Sequence, residues 1–145
     1  MRWMPKWPNF GIGKYLTNGY LLDSHVFLWC ISNQRQLGAQ TRWRLRQAAF
    51  GFFSSISVAE LAIKASRGHQ VLPTEIEQRA KDFNLSEIEY ASLDAHEIPR
   101  FPSLIGHDPF DRLILAQAAA RGLKLITADR KLLDLGFDWI LDARL

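Results

Sequence analysis

From Tyr20 onward the chain alternates short apolar runs with amphipathic stretches, and this alternation restricts it to one broad architecture. The runs are YLLD (20–23), FFSSIS (52–57), IEYASLD (88–94), LKLIT (123–127) and FDWILD (137–142). Each is long enough for a strand and too short for a helix. Between them lie helical stretches: SHVFLWCI, a longer one around Thr41 to Phe50, VAELAIKASRG stopping at Gly68, TEIEQRAKDFN after Pro73, the proline-limited AHEIPRFPSL, and DRLILAQAAARG stopping at Gly122. Glycine just past a helix supplies the left-handed residue that ends it, and proline is tolerated in the first turn. Strands separated by helices pair parallel and are covered on both faces. The expected fold is a doubly wound α/β domain around a five-stranded parallel sheet.

A chain of 145 residues, 48% hydrophobic and 23% charged, can bury one real core. Its single cysteine, Cys30, forms no intrachain disulfide, which fits a reduced, cytoplasmic setting. One Cys with four scattered His (His25, His69, His96, His107) has no zinc-ligand spacing, so any metal is held by oxygen. The net charge of +3 is carried by Arg2, Lys6 and Lys14 in residues 1–18, which contain no acid, and the rest of the chain balances to zero. This opening stretch has no apolar run long enough for a signal peptide or a membrane span. It reads as a tail, disordered or a non-native start, and the domain is set at 19–145.

In a doubly wound sheet the functional crevice lies beyond the carboxyl ends of the strands. Asp23 closes the first strand, Glu60 falls in the first turn after the second, Asp129 follows the fourth, and Asp108 and Asp111 start the helix that feeds the fourth. In the strand order 3-2-1-4-5, strands one and four are neighbours and these side chains converge. Each acid also has a structural reading. Asp23 or Ser24 can cap HVFLWC, Ser57 and Glu60 form a capping box in SVAE, Asp129 can cap RKLLDLG, and Asp111 complements the positive end of its helix. Asp108, placed before Pro109, is read as a cap. Independent caps have no reason to gather carboxylates at one end of three strands. Such a cluster repels itself unless a cation neutralises it. Mg²⁺ or Mn²⁺ suits oxygen ligands, and either activates water for attack on phosphorus. The chemistry implied is phosphodiester hydrolysis.

YLLDSH with Asp23, SISVAELAIK with Glu60, HDPFDRLILAQA with Asp111, and LITADRKL with Thr127 and Asp129 together resemble the PIN-domain ribonucleases, in particular VapC-type toxins of bacterial toxin–antitoxin pairs. The resemblance covers Gly19 to about Ala143, with the motifs in order. It implies a Rossmann-like five-stranded sheet, a Mg²⁺ or Mn²⁺ site made by Asp23, Glu60, Asp111 and Asp129, endonucleolytic cleavage of RNA, a homodimer and a cognate antitoxin. Thr127 is expected to assist through its hydroxyl. The tail departs from the pattern, since such domains begin almost at the first strand.

For holding RNA, Arg42, Arg44 and Arg46, with Arg35 nearby and Trp43 among them, form a basic strip. Arginine neutralises phosphate and an exposed aromatic stacks on an unpaired base; the other reading is a solvated face with Trp43 in the core or in an interface. Arg112, beside the acids, is better placed for phosphate. His25 and His107 are read as ordinary helix-start residues, because a hard-cation site does not need imidazole. A receiver-like phospho-switch also uses an acidic Mg²⁺ pocket on such a sheet, but Asp23 has no acidic neighbour and no lysine follows WILD. A PIN-like module that binds RNA or an antitoxin without cutting is the closer alternative.

Overall fold

The computed structural model describes residues 19–69 and 72–145, so the expected tail at 1–18 lies outside the described residues. Five short strands, β1 (Gly19–Leu22), β2 (Phe50–Ser54), β3 (Leu85–Ile88), β4 (Lys124–Thr127) and β5 (Ile140–Asp142), form one parallel sheet in the order β3-β2-β1-β4-β5. The expected strand order is therefore the observed one. Around the sheet run α1 (Ser24–Ser32), α2 (Ala39–Gln47), α3 (Ser55–Ser66), α4 (Ile76–Asp82), α5 (Ser92–Ala95), α6 (Pro109–Arg121) and α7 (Arg130–Leu133). Single 3₁₀ turns occupy Gln34–Gln36, Ile98–Arg100 and Pro102–Leu104.

Successive side chains of a strand point to opposite faces, so a strand covered on both sides must be apolar at every position. Leu21, Leu125 and Phe52 pack into one core with Ile114 and Leu115 of α6. Their neighbours Leu22, Ile126 and Phe53 pack into the other, with Val26 and Phe27 of α1 and Leu61 of α3. Phe27 stacks on Phe53 with ring centroids 4.3 Å apart, a contact worth about 0.5–1.5 kcal/mol beyond the area it buries.

Several boundaries differ from the sequence reading. The stretch expected as a helix to Phe50 ends at Gln47, and Phe50 opens β2. Among the clustered serines of SSIS it is Ser54 that caps α3, accepting the Ile56 amide at 3.1 Å. Ser57 therefore lies inside the helix and bonds Ser24 at 3.0 Å, so the capping box with Glu60 does not form. The third strand ends at Ile88 rather than Asp94, which is drawn into α5 and fully buried. The helix expected at Pro73 starts at Ile76.

α2 has no capping side chain. The segment after β5 substitutes for one: Gly38 N–H donates to Ala143 O and Thr41 N–H to Leu145 O, both at 2.9 Å, satisfying amides at the helix start. The approach leaves no room for a side chain, since a Cβ on Gly38 would stand 2.0 Å from Leu145 O. Gly38→Ala is expected to cost about 1–3 kcal/mol in urea unfolding, the usual range for forced overpacking.

Candidate metal centre

Of the sequence-predicted acids, Asp111 and Asp129 come together with His107 at the carboxyl edge of the sheet, while Asp23 and Glu60 adjoin them through charge. Asp23, directly after β1, caps α1: one carboxylate oxygen accepts the Val26 amide at 2.9 Å, and the other accepts the Thr127 hydroxyl from the end of β4. Thr127 Oγ1 in turn accepts the Asp129 amide at 3.0 Å. One hydroxyl thus ties the ends of β1 and β4 together. Asp129 caps α7 with Oδ1, accepting the Lys131 amide at 2.8 Å, and turns Oδ2 toward His107 Nε2 at 3.1 Å. The same imidazole nitrogen lies 3.2 Å from Asp111 Oδ2 in the first turn of α6.

His107, Asp111 and Asp129 each offer a ligand atom, and these atoms all lie within 4.8 Å of one another. His107 is the residue the sequence reading set aside. Its signal was the spacing to Asp111, four residues on, which places both on one side of a helix start. His25, by contrast, is exposed in the first turn of α1. Asp108 is exposed to solvent and caps α6 through the Phe110 amide at 2.8 Å, as expected of it.

Charge joins the remaining acids to this cluster. Burial pushes the Asp111 carboxyl up to about 8, helped by its hydrogen bond with Asp129 and by the nearby charges of Asp108, Asp23 and Asp129. Asp23 is raised by burial and by Glu60, against the opposing bonds from Thr127 and Val26 and the charge of His25. For Asp129 burial pulls upward, but the Lys131 amide, Asp111 and His107 outweigh it, so the carboxyl is lowered. Glu60, on α3, is 1% exposed; Oε1 meets the Lys64 ammonium at 2.6 Å and Oε2 has no partner. A buried carboxylate oxygen without a donor is costly. Together with three carboxylates packed closely enough to repel, it fits a site completed by a divalent cation.

A group whose folded pKa is raised stabilises the fold below its unfolded pKa and loses that contribution as pH rises through the folded value. Asp111 and Asp23 act in this direction, and Asp129 acts in the other only below the ordinary carboxyl range. With chelator present, the thermal midpoint is expected to fall between about pH 5 and the Asp111 value of about 8. Saturating Mn²⁺ should flatten that decline, as monitored by thermal denaturation across the series.

The PIN-domain family model matches residues 20–138. Solved structures of similar fold include VapBC2 from Rickettsia felis bound to a DNA fragment from its promoter, at 16% identity and a TM-score of 0.56, covering 85% of this chain and 96% of that one. A toxin–antitoxin complex from Klebsiella pneumoniae aligns at 20% identity and a TM-score of 0.60, covering 86% and 97%. DNA-bound VapBC from Salmonella typhimurium aligns at 21% identity and a TM-score of 0.59, covering 84% and 98%. A search of curated proteins gives no match. The family match runs from β1 through α7 and takes in every acid of the cluster, and the chain belongs to the PIN-domain family.

Proposed function

We propose that this chain is a metal-dependent endoribonuclease and the toxin of a bacterial toxin–antitoxin pair. The observation that carries the reading is the meeting of His107, Asp111 and Asp129 beside Asp23 and Glu60 at the carboxyl edge of the sheet. Membership of the PIN-domain family and the fold shared with toxin–antitoxin complexes support it.

Asp111, Asp129 and Asp23 are the proposed direct or water-mediated ligands, with Glu60 closing the site from α3. A bound Mg²⁺ or Mn²⁺ supplies Lewis acidity, acidifying a water for attack on phosphorus and stabilising the leaving oxygen. The chain's own part is to fix the oxygens: Thr127 holds Asp23 and the Asp129 amide, and the capping bonds hold one oxygen of Asp23 and of Asp129 in place. His107 spans Asp111 and Asp129, where it can ligate directly or orient both carboxylates.

RNA reaches this edge past Arg112, half-buried beside Asp111. Arg44 and Arg46 on α2, with Trp43 at 58% exposure, form a second contact surface in this reading. The exposure removes the alternative that Trp43 fills the core. Arg42 is committed elsewhere, donating to Leu37 O at 2.7 Å and to Gln34 O at 3.5 Å, so its part in RNA binding is smaller than its neighbours'. The partners are RNA, an antitoxin protein and a second copy of the chain, in the cytoplasm. No described helix is long and apolar enough to cross a membrane.

The test is incubation of the purified protein with a panel of transfer and ribosomal RNAs, in Mg²⁺, in Mn²⁺ and in chelator. Discrete fragments that depend on the metal are the expected result. Metal binding without cleavage of any RNA would assign the domain to binding alone.

A further inference from the structure

The Glu60–Lys64 pair is a charged contact at this edge that neither helix capping nor the three-residue cluster accounts for. Glu60 is almost fully buried, yet one of its oxygens has no partner and the other is held by an ammonium at 2.6 Å. Lys64 is one helical turn further along α3 and its side chain is 28% exposed, so the residue that neutralises the buried carboxylate is itself partly open to solvent. We infer that Lys64 is the resident cation of the metal-free site: its ammonium neutralises Glu60 until a divalent cation arrives, and the two then compete for that carboxylate.

The inference rests on the metal-dependent reading above and follows from charge and placement. Leaving Glu60 ionised and unpaired in the interior would strand a buried charge, and the ammonium is the partner the structure gives it. A divalent ion beside the same carboxylate brings two positive charges to within a few ångströms of the ammonium, and their repulsion opposes simultaneous occupancy. Lys64 has a way out, because its side chain is already 28% exposed. An aliphatic residue at 64 would give the metal an uncontested ligand and the metal-free protein an uncompensated one. Competition for one group is a coupling between ligands and works in both directions.

The experiment compares the full chain with Lys64→Met and Lys64→Arg after chelator treatment, reading the Mn²⁺ dissociation constant from free-ion titration and the thermal midpoint without metal. Lys64→Met is expected to melt lower without metal and to bind Mn²⁺ roughly tenfold more tightly, within the usual range of coupling between linked ligands. Lys64→Arg keeps the charge and should resemble the parent in both. A purely structural lysine would lower the melting point and leave Mn²⁺ affinity unchanged; that result, or weaker binding, overturns the inference. Should Lys64→Met fail to fold, the parent protein still decides. Acetylation of Lys64, followed by mass spectrometry, should run several-fold faster in saturating Mg²⁺ than in chelator, and equal rates would overturn the displacement. A parent protein that binds no Mn²⁺ defeats the metal-dependent reading together with this one, whereas a parent that binds and cleaves while Lys64→Met binds no tighter defeats this one alone.

Discussion

Asp111→Asn is expected to remove metal-dependent RNA cleavage by roughly a hundredfold or more, beyond the 10–100-fold typical when only a supporting partner of a ligand is lost. The substitution keeps the shape and a hydrogen-bonding oxygen while deleting the charge. Asp111 stands against Asp129 and feels Asp23 and Asp108 as well. Removing the charge it carries above about pH 8 should therefore leave the metal-free protein at least as stable there as the parent. The added stabilisation from saturating Mn²⁺, about 2.7 kcal/mol at a hundredfold excess over the dissociation constant for a normal site, should shrink. Cleavage assays in Mg²⁺ and Mn²⁺, with thermal melts in chelator, read both parts. A variant that still cuts at the parent rate with undiminished Mn²⁺ stabilisation would remove Asp111 from the site.

The largest stability effect is expected outside the acidic cluster, at Asp94. This carboxylate is fully buried on α5 and is gripped by Arg121 of α6, Nε at 2.7 Å and Nη2 at 3.0 Å, while Oδ2 also accepts the Ala91 amide at 2.8 Å. Arg121 Nη2 and Gln117 Nε2 both reach Glu89 O at 3.3 Å. The network fastens the chain leaving β3 to the helix that carries Asp111. Asp94→Ala takes the carboxylate from a guanidinium that is 11% exposed, and breaking a buried pair from one side costs about 3–5 kcal/mol. For a domain of this size that is a fall of roughly 10 °C in thermal midpoint. Pairing it with Arg121→Leu should recover part of the loss, because the buried positive charge leaves with its carboxylate partner. Equal midpoints for the single and the double variant would contradict the argument.

That the sheet is covered on both faces was readable because the information is redundant, whereas the strand order was taken from the one common to such folds. Leu21 and Leu22, Phe52 and Phe53, and Leu125 and Ile126 are each a pair of adjacent apolar residues, and a strand needs both only when both faces are covered. Cap positions were readable at an acid before a proline or just past a strand end, as at Asp108 and Asp129. In SSIS several serines competed for the same role, and local pattern does not choose among them. The choice follows from β2 ending where Ser54 pairs with Ile88, a long-range register. Asp94 was misplaced for a similar reason, since its partner lies 27 residues away on another helix. His107 was legible in spacing but was set aside on metal preference, which overlooks that an imidazole can organise carboxylates without being the favoured ligand.

Asp23 and Asp129 each serve two masters, and the division has an evolutionary corollary. One oxygen of each accepts a backbone amide and starts a helix, so selection for a folded domain would retain them in a descendant that had abandoned chemistry. Glu60 and Asp111 meet side chains instead, Lys64 in one case and His107 in the other. In a lineage drifting toward a pure binding role, those two positions would be released first. Under the proposed function, a relative that kept a carboxylate at both 60 and 111 would be expected to retain cleavage, a matter that assays on such relatives decide.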